Sequence, residues 1–364
     1  MVSVRLEDVT KRFGDTIAVN GVNLDVKDRE FFVLLGPSGC GKSTTLNMIA
    51  GLETVTAGNI YFDDQLVNDV PPEKRDVAMV FQSFALYPTM NVFDNIAFPL
   101  RVRKYNKSEI RQRVRETAEL LRIVHLLEKK PHELSGGEKQ RVALARAIVR
   151  EPKVFLFDEP LSNIDAKLRV YMRAELIRLQ KDLQTTTIYV THDQVEAMTM
   201  GDRVAVMDAG RVMQVAEPME VFRKPANLFV AGFIGTPPMN FFDASLVIEN
   251  GNVKLDCGHF KLALDEKHAE LLRKTAHGSE LVLGVRPHNL GIYKERPARP
   301  SFEAEVFAVE PLGTETVVDV KVGDNIYKIV TGPGFTARMA EKVFVVIDVD
   351  SVHLFDKKSG LALA

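Results

Sequence analysis

A glycine-rich loop near the start of the chain constrains its fold more than any other feature. The loop directly follows the apolar run 31–35 and leads into a helical run, 45–50. Its residues are Gly36, Pro37, Ser38, Gly39, Cys40, Gly41, Lys42, Ser43 and Thr44, and Thr45 opens the helical run. Glycines between a strand and a helix let backbone N–H groups turn inward around phosphates, and the helix N-terminus adds partial positive charge. The sequence therefore predicts a nucleotide phosphate site, in which Lys42 reaches the β- and γ-phosphates and Ser43 ligates Mg²⁺.

A second apolar run ends in two adjacent carboxylates. Residues 154–157 are β-branched or aromatic with one leucine, and Asp158 and Glu159 follow them directly. Alone, this pattern also fits a strand followed by acids that start a helix. Beside a phosphate loop, an acid at the strand tip is placed to hold the Mg²⁺ shell, and the next acid is placed to polarise the attacking water. The two motifs together indicate a nucleotide hydrolase.

A third motif supplies a second anion-binding site. It runs through Leu134, Ser135, Gly136, Gly137, Glu138, Lys139, Gln140 and Arg141 and precedes a helix predicted over 142–149. A serine and two glycines at the start of a helix bind anions through backbone N–H groups and the helix dipole. Since the chain has two such sites but only one lysine-bearing loop, the second site is expected to serve another subunit's nucleotide.

In combination, these motifs resemble the ATP-binding cassette (ABC) family, over essentially the whole chain. The resemblance implies ATP and Mg²⁺ as cofactors and a homodimer as the active species. Gln82 would sense Mg²⁺ and the attacking water, and His192 would contact the γ-phosphate. Phe13 would stack on adenine, with Val19 beside it. Catalysis is then assigned to Glu159, His192 and Gln82, and metal binding to Ser43, Gln82 and Asp158.

The same resemblance assigns residues to the contact between the two subunits. The signature residues that would act on the partner's nucleotide are Leu134, Ser135, Gly136, Gly137, Glu138 and Gln140. Ser162, Asn163 and Asp165 match the loop that crosses the dimer interface, with Ile164 where leucine is commoner.

Three further segments look like the sugar-importer subfamily, the group that includes the maltose transporter ATPase. They span 82–88, 191–198 and 235–241. In the first segment, Phe84, Ala85, Leu86 and Tyr87 are expected to form a surface cleft that receives a short helix from a membrane subunit. An apolar turn packed beneath neighbouring helices is the alternative reading of these four residues.

The pattern along the chain predicts two domains. Apolar runs alternating with helices over 1–235 are typical of an α/β fold with a parallel sheet, here a P-loop NTPase with a helical subdomain at about 88–150. Short alternating runs with glycine and proline turns over 236–364 predict an all-β, OB-like barrel. Its Arg286-Pro287 continues with His288-Asn289, where the subfamily usually has Glu-His, so regulatory contacts are not carried over.

Composition excludes several classes of protein. The net charge of −2 does not suit a protein that neutralises nucleic-acid backbones. Two cysteines are too few for a disulfide framework. Cys40 lies near a helix N-terminus, where the pKa of a thiol is lowered, although phosphoryl transfer needs no nucleophilic side chain. The longest apolar runs are far shorter than the roughly 20 residues of a spanning helix.

The leading hypothesis is the ATPase of a carbohydrate importer at the cytoplasmic face of the membrane. Its partners would be two transmembrane permeases and, indirectly, an extracytoplasmic solute-binding protein. An importer for an inorganic anion, a metal complex or a polyamine is the alternative. A DNA-repair ABC protein would need a long coiled coil between Gln82 and Leu134, which are only 52 positions apart. Translation-associated ABC proteins generally carry two cassettes, and this chain has one phosphate loop.

Overall fold

The computed structural model describes residues 2–249, 252–275 and 279–363, in two compact units, Met1–Met219 and Glu220–Ala364. The sequence placed the division at 235/236. The segment from 220 to 235 belongs with the second unit because Arg286 donates hydrogen bonds to the carbonyls of Phe222 and Ile234. Ala231 also packs in a small core with Met239, which lies in the same unit.

The first unit contains two sheets. Their strands are β1 Val4–Phe13, β2 Thr16–Val26, β3 Phe31–Leu35, β4 Ala57–Phe62, β5 Gln65–Leu66, β6 Val77–Val80, β7 Val154–Asp158, β8 Thr186–Thr191, β9 Arg203–Asp208 and β10 Arg211–Ala216. One sheet is antiparallel, in the order β2-β1-β4-β5. The other has the order β10-β9-β3-β8-β7-β6 and is parallel except for β10.

The predicted parallel sheet is confirmed. Every residue of β3 and β8 is buried, as expected for strands covered on both faces. The apolar runs 31–35 and 154–157 of the sequence coincide with β3 and β7 to within one residue at each end.

Helices connect these strands. They are α1 Lys42–Ala50, α2 Val92–Val102, α3 Lys107–Leu120, α4 Gly136–Ile148, α5 Ala166–Leu183 and α6 Gln194–Met200, with 3₁₀ turns at Pro72–Lys74, Val124–Leu126 and Pro131–Glu133. Helix α3 has one apolar face, on which Ile110, Val114 and Ala118 are buried. Its charged face carries ion pairs such as Arg113 with Glu109.

The second unit is built mainly of antiparallel strands. They are β11 Asn240–Glu249, β12 Asn252–Asp256, β13 Lys261–Ala263, β14 Glu280–Val285, β15 Leu290–Tyr293, β16 Phe302–Pro311, β17 Thr316–Val322, β18 Asn325–Thr331, β19 Lys342–Ile347 and β20 Val352–Asp356. They form two five-stranded sheets, β13-β12-β11-β14-β20 and β15-β19-β16-β17-β18, which share one hydrophobic core.

Helices also occur in this region. They are α7 Pro218–Arg223, α8 Leu228–Phe233 and α9 Glu266–Thr275, with 3₁₀ turns at Pro287–Asn289 and Val349–Ser351. The all-β, OB-like architecture predicted for 236–364 is confirmed by these two antiparallel sheets, although residues 266–275 form the additional helix α9. This segment is rich in good helix formers, and Ala269 and Leu272 bury one side of it in the core of the unit.

Candidate active site

The predicted site residues meet at one edge of the parallel sheet. Strands β3, β8 and β7 are neighbours and run in the same direction, so their carboxyl ends lie side by side. The phosphate loop follows β3, Glu159 follows β7, and His192 follows β8. The crevice beyond the carboxyl ends of parallel strands is where open α/β sheets bind ligands.

Glycine is required at two positions of the phosphate loop. A side chain at Gly36 would overlap the carbonyl oxygen of Met207, and one at Gly41 would overlap that of Ala18. Gly41 also has a φ of 101°, a conformation that only glycine adopts readily. The loop can therefore run close to its neighbours at these two positions.

Helix α1 begins at Lys42, three residues before the helical run expected at Thr45. The first N–H groups of a helix have no partner within it, so those of Lys42 and Ser43 are available to bind phosphate oxygens. The Lys42 side chain is only 5% exposed, and its Nζ donates to the carbonyls of Gly36 and Pro37 at 2.8 and 2.9 Å. These bonds hold the ammonium group inside the loop.

Ser43 and Asp158 come together although they are far apart in sequence. The Ser43 hydroxyl donates to Oδ1 of Asp158 at 2.8 Å. Burial raises the pKa of Asp158, and the bond from Ser43 acts in the opposite direction. Hydroxyl and carboxylate oxygens are the hard ligands that Mg²⁺ prefers, so this pair fits the predicted metal site.

Glu159 and His192 form the second pair of the site. Nδ1 of His192 lies 3.0 Å from Oε2 of Glu159. The backbone of Glu159 has a φ of 44° and is held from both sides: its N–H donates to the carbonyl of Val190, and its own carbonyl accepts from the Ser162 hydroxyl. A non-glycine residue in this conformation persists only where its surroundings fix it, which is typical of active sites.

The loop residues predicted to cross a dimer interface make contacts within the chain. Nδ2 of Asn163 donates to the carbonyl of Gln82 at 2.9 Å, which links this loop to the glutamine. Asp165 caps helix α5 by accepting from the N–H of Leu168. The side chain of Gln82 is exposed beside them.

The signature motif lies at the start of a helix, but the predicted start is wrong. Helix α4 begins at Gly136 rather than at residue 142. Ser135 is the N-cap of this helix, and its side chain accepts from the N–H of Glu138. The Glu138 carboxylate in turn accepts from the N–H of Ser135 at 2.7 Å, so the two residues form a capping box. Both signature glycines therefore belong to the first turn of α4, where free N–H groups bind anions.

Several residues of the predicted binding motifs have buried side chains. Val19 and Gln140 are 0% exposed, and Thr45, Leu134 and Cys40 are also buried. Val19 packs in the hydrophobic core together with Cys40, so its side chain supports the loop. The Thr45 hydroxyl donates to the carbonyl of Gly41. Because these side chains are buried, a contact with nucleotide would have to involve backbone groups, and the contacts of these residues with nucleotide stay a prediction.

For Cys40, the expected lowering of the thiol pKa is wrong, whereas the steric and backbone role that the sequence favours over a catalytic one stays a prediction. Burial outweighs the nearby Lys42 and raises the pKa of Cys40 above its usual value. The buried thiol is therefore not a reactive thiolate.

Phe13 is 48% exposed, as a residue that stacks on a base must be. The sequence did not indicate what supports its ring. The Lys11 ammonium lies 4.9 Å from the ring centroid and is itself held by Glu53 at 2.7 Å. Lys11 and Phe13 are two positions apart on β1, and alternate residues of a strand share a face, so this spacing could have predicted their contact.

The segment after Gln82 borders a groove of about 630 Å³. Its walls include Ala85, Tyr87, Phe98, Val102 and Arg146. The Tyr87 and Phe98 rings lie 4.6 Å apart, and Tyr87 is 38% exposed. An accessible groove with apolar walls is consistent with the predicted cleft. Arg146, which bonds to the backbone of this segment, was not identified from the sequence.

Among the residues that the structure describes, no helix has the length and hydropathy needed to span a bilayer.

Comparison with known proteins agrees with both parts of the chain. The ABC transporter family matches residues 19–162, and the MalK OB fold domain matches residues 235–290. The Trehalose/maltose import ATP-binding protein MalK of Thermococcus litoralis is 55% identical, with all of both chains covered. The Xylose/arabinose import ATP-binding protein XacK of Haloferax volcanii is 49% identical over all of this chain and 96% of its own.

A dimeric ATP-binding cassette, solved in a post-hydrolysis state bound to ADP and Pi, has a similar structure. It is 34% identical with a TM-score of 0.54, and the match covers 59% of this chain and 98% of that one. The loop that binds phosphates, the acidic strand end, the signature helix and the OB-type unit therefore have one common explanation: this chain belongs to the ABC transporter family, as an ATP-hydrolysing subunit with a MalK-type OB domain.

Proposed function

We propose that this chain is the energy-coupling ATPase of a carbohydrate importer, acting as a homodimer at the cytoplasmic face of the membrane. The observation that carries the ATPase part is the pairing of Ser43 with Asp158 next to the pairing of Glu159 with His192. A phosphate loop, a metal-binding pair and a candidate base meet at one sheet edge, which is what phosphoryl transfer to water requires.

Each residue of the site has a distinct part in the proposed reaction. Lys42 and the first amides of α1 bind the phosphates, and Ser43, Asp158 and Gln82 would hold Mg²⁺. When bound, the metal ion neutralises the charge that develops on the phosphate oxygens. Glu159 orients the attacking water and accepts its proton, and His192 keeps the carboxylate of Glu159 in place.

The signature motif is proposed to act on the nucleotide of the second subunit. Ser135 is exposed, and Gly136 and Gly137 lie in the first turn of α4, where backbone N–H groups have no partner within the helix. Each composite site would then combine Lys42 of one chain with Ser135 of the other.

Mixing two inactive variants tests this arrangement. Lys42→Ala and Ser135→Arg each damage both sites of their own homodimer. In a mixed dimer, a composite arrangement places both changes in one site and leaves the other intact. We expect mixing to restore occlusion of up to one nucleotide per dimer. ATP-dependent photocrosslinking from position 135 to nucleotide held by Lys42 of the same chain would contradict the composite site.

The carbohydrate assignment rests on relatives. The similar proteins from Thermococcus litoralis and Haloferax volcanii are named for import of disaccharides and of pentoses. The ATPase of an importer does not touch the solute, so its partners must supply the decisive test. The chain should be assembled with two permeases and a solute-binding protein. ATP hydrolysis should rise with a mono- or oligosaccharide, and a response only to an inorganic anion, a metal complex or a polyamine would select the alternative.

The groove beside residues 84–87 is proposed to receive the membrane subunit. Ala85 is exposed and borders the groove without touching any phosphate ligand. An Ala85→Asp variant should therefore keep the ATPase activity of isolated dimers but lose permease binding and uptake. Loss of basal hydrolysis together with fold stability would show instead that Ala85 is a packing residue.

A further inference from the structure

The segment after Gln82 has an unusual backbone. Phe84 and Ala85 are consecutive non-glycine residues with positive φ, 62° and 46°. Such residues are uncommon singly, and a pair persists only where neighbouring groups hold the conformation. Residues 84–87 are called the coupling segment below.

The side chain of Arg146 bonds to both residues of this pair, and Asn95 of α2 bonds to the backbone of Tyr87 next to them. Nη1 of Arg146 donates to the carbonyl of Ala85 at 2.7 Å, and Nη2 donates to the carbonyl of Phe84 at 3.1 Å. The guanidinium carbon also lies 5.5 Å from the centroid of the Tyr87 ring. Arg146 thus contacts three of the four residues of the coupling segment. A planar guanidinium holds its donors in a rigid fork that fits two neighbouring carbonyls, whereas the donors of a lysine ammonium are not fixed in this way.

The charge of Arg146 is not used for an ion pair. Within the described ranges of the chain, no carboxylate pairs with it, and burial lowers its pKa. Placing an arginine in a half-buried position without an acidic partner is costly unless its donors are otherwise satisfied. Here the coupling segment satisfies them.

Arg146 lies on the same helix as the signature. Helix α4 begins at Gly136 directly after Ser135, and Arg146 is 11 residues beyond Ser135, about 16 Å along the axis. An unbroken helix moves as one body, so a displacement at its signature end is transmitted to Arg146.

We propose that Arg146 is a positioning residue that fixes the coupling segment to the signature helix, so that closure around ATP at Ser135 moves the segment together with α4. The proposal rests on the proposed function, since it concerns how ATP-driven closure reaches the membrane-subunit groove. It assigns to a side chain outside the nucleotide site the link between the signature and the groove.

A fluorescent reporter in the full-length chain tests this link. The protein has no tryptophan, so Tyr87→Trp introduces a single one in the coupling segment and keeps an aromatic ring near Arg146. The Glu159→Gln change is added to hold the ATP-bound state. With Arg146 intact, ATP should change the tryptophan emission as the dimer forms.

The Arg146→Met variant should still dimerise with ATP, because Arg146 touches no phosphate ligand. Its emission response to ATP should be abolished, and acrylamide quenching without nucleotide should rise. Losing hydrogen bonds from a charged donor favours local opening by about tenfold or more. Arg146→Lys should show only part of the emission response, because lysine keeps the positive charge but lacks the two fixed Nη donors of the guanidinium.

Arg150→Met is the matched control. Arg150 is a half-buried arginine that lines the same groove, but it faces Asp76, with Nη2 3.8 Å from that carboxylate. If both arginines merely stabilise the fold, both variants should lower the melting temperature and neither should alter the ATP response of the folded protein.

A full change of tryptophan emission with ATP in Arg146→Met overturns the proposal. So does the absence of any emission change on ATP-driven dimerisation when Arg146 is intact. Failure of ATP to form a dimer in the Glu159→Gln background with Arg146 intact is a different result. It contradicts the proposed function, and the proposal about Arg146 is then rejected with it.

Discussion

Replacing Glu159 by glutamine separates ATP binding from ATP hydrolysis. The side chain is 17% exposed and lies 3.0 Å from Nδ1 of His192. An amide of the same size fits this position, so the fold and the ATP affinity should be unchanged. The amide cannot accept a proton from water, which should lower kcat by a factor of about 10²–10⁴. That range corresponds to about 2.7–5.5 kcal/mol of activation free energy.

A smaller part of the loss comes from the contact with His192. A hydrogen bond to a charged group contributes about 1.5–3 kcal/mol and a neutral one about 0.5–1.5 kcal/mol, so the amide loosens the pair by about 1 kcal/mol. This part affects orientation. It is too small to account for a loss of 10²-fold or more, which must come from the missing base.

Phosphate release at saturating ATP and Mg²⁺ measures kcat, and size-exclusion chromatography measures ATP-dependent dimerisation. Glu159→Gln should accumulate as an ATP-bound dimer. Lys42→Ala, which removes a phosphate ligand, is the control that should fail to dimerise. Hydrolysis by Glu159→Gln within a few fold of the unmodified protein would refute the assignment of Glu159 as the base and would favour a reaction assisted by the substrate's own phosphate.

Three further changes test other parts of the structure. Phe13→Ala should raise the KM for ATP by up to about tenfold with little change in kcat, since stacking contributes about 0.5–1.5 kcal/mol. Phe13→Tyr is the control and should leave both constants unchanged. An unchanged KM with a lower kcat in Phe13→Ala would contradict the stacking role. Gly36→Ala should lower the free energy of unfolding, measured in urea, by about 1–3 kcal/mol, because the added Cβ would overlap a backbone oxygen. At Gly39 no atom lies near the added Cβ, so Gly39→Ala should lower the free energy of unfolding by only about 1 kcal/mol, because of its φ of 80°. Burial lowers the pKa of His353 to about 4, so as the pH falls the unfolded chain binds a proton at this residue before the folded chain does. The free energy of unfolding should therefore fall by about 1–2 kcal/mol between pH 7 and pH 5. His353→Gln should remove this pH dependence, and an unchanged dependence of the unfolding free energy on pH would refute its origin in His353.

The parallel sheet could be predicted because its signal is local in sequence. Strands covered on both faces appear as continuous apolar runs, and β3 and β8 are entirely buried. Motifs that directly follow such strands must lie at one edge of the sheet. The approach of Ser43 to Asp158 is a consequence of that rule.

The direction of individual side chains was harder to predict. Val19 and Gln140 belong to predicted binding motifs, yet both are completely buried. A motif fixes the path of the backbone, and only every second strand residue or every third or fourth helix residue then faces the ligand. The start of α4 was misplaced because glycines usually end helices, whereas here Ser135 and Glu138 cap one. Long-range contacts such as Arg146 with Ala85 have no local signal.

Helix α4 connects the parts of the molecule that the sequence presents separately. Its first turn carries the signature glycines, and Arg146 in its last turns bonds to the coupling segment. Gln82, at the other end of that segment, is bonded through its carbonyl to Asn163 in the loop predicted to face the second subunit. The stretch from Gln82 to Tyr87 is therefore held along its whole length, since Asn95 of α2 also bonds to the N–H and the carbonyl of Tyr87. We have proposed that two subunits close on ATP. Because the stretch is bonded both to the loop of Asn163 and to the signature helix, we expect this closure to move it and to change the shape of the groove that it borders.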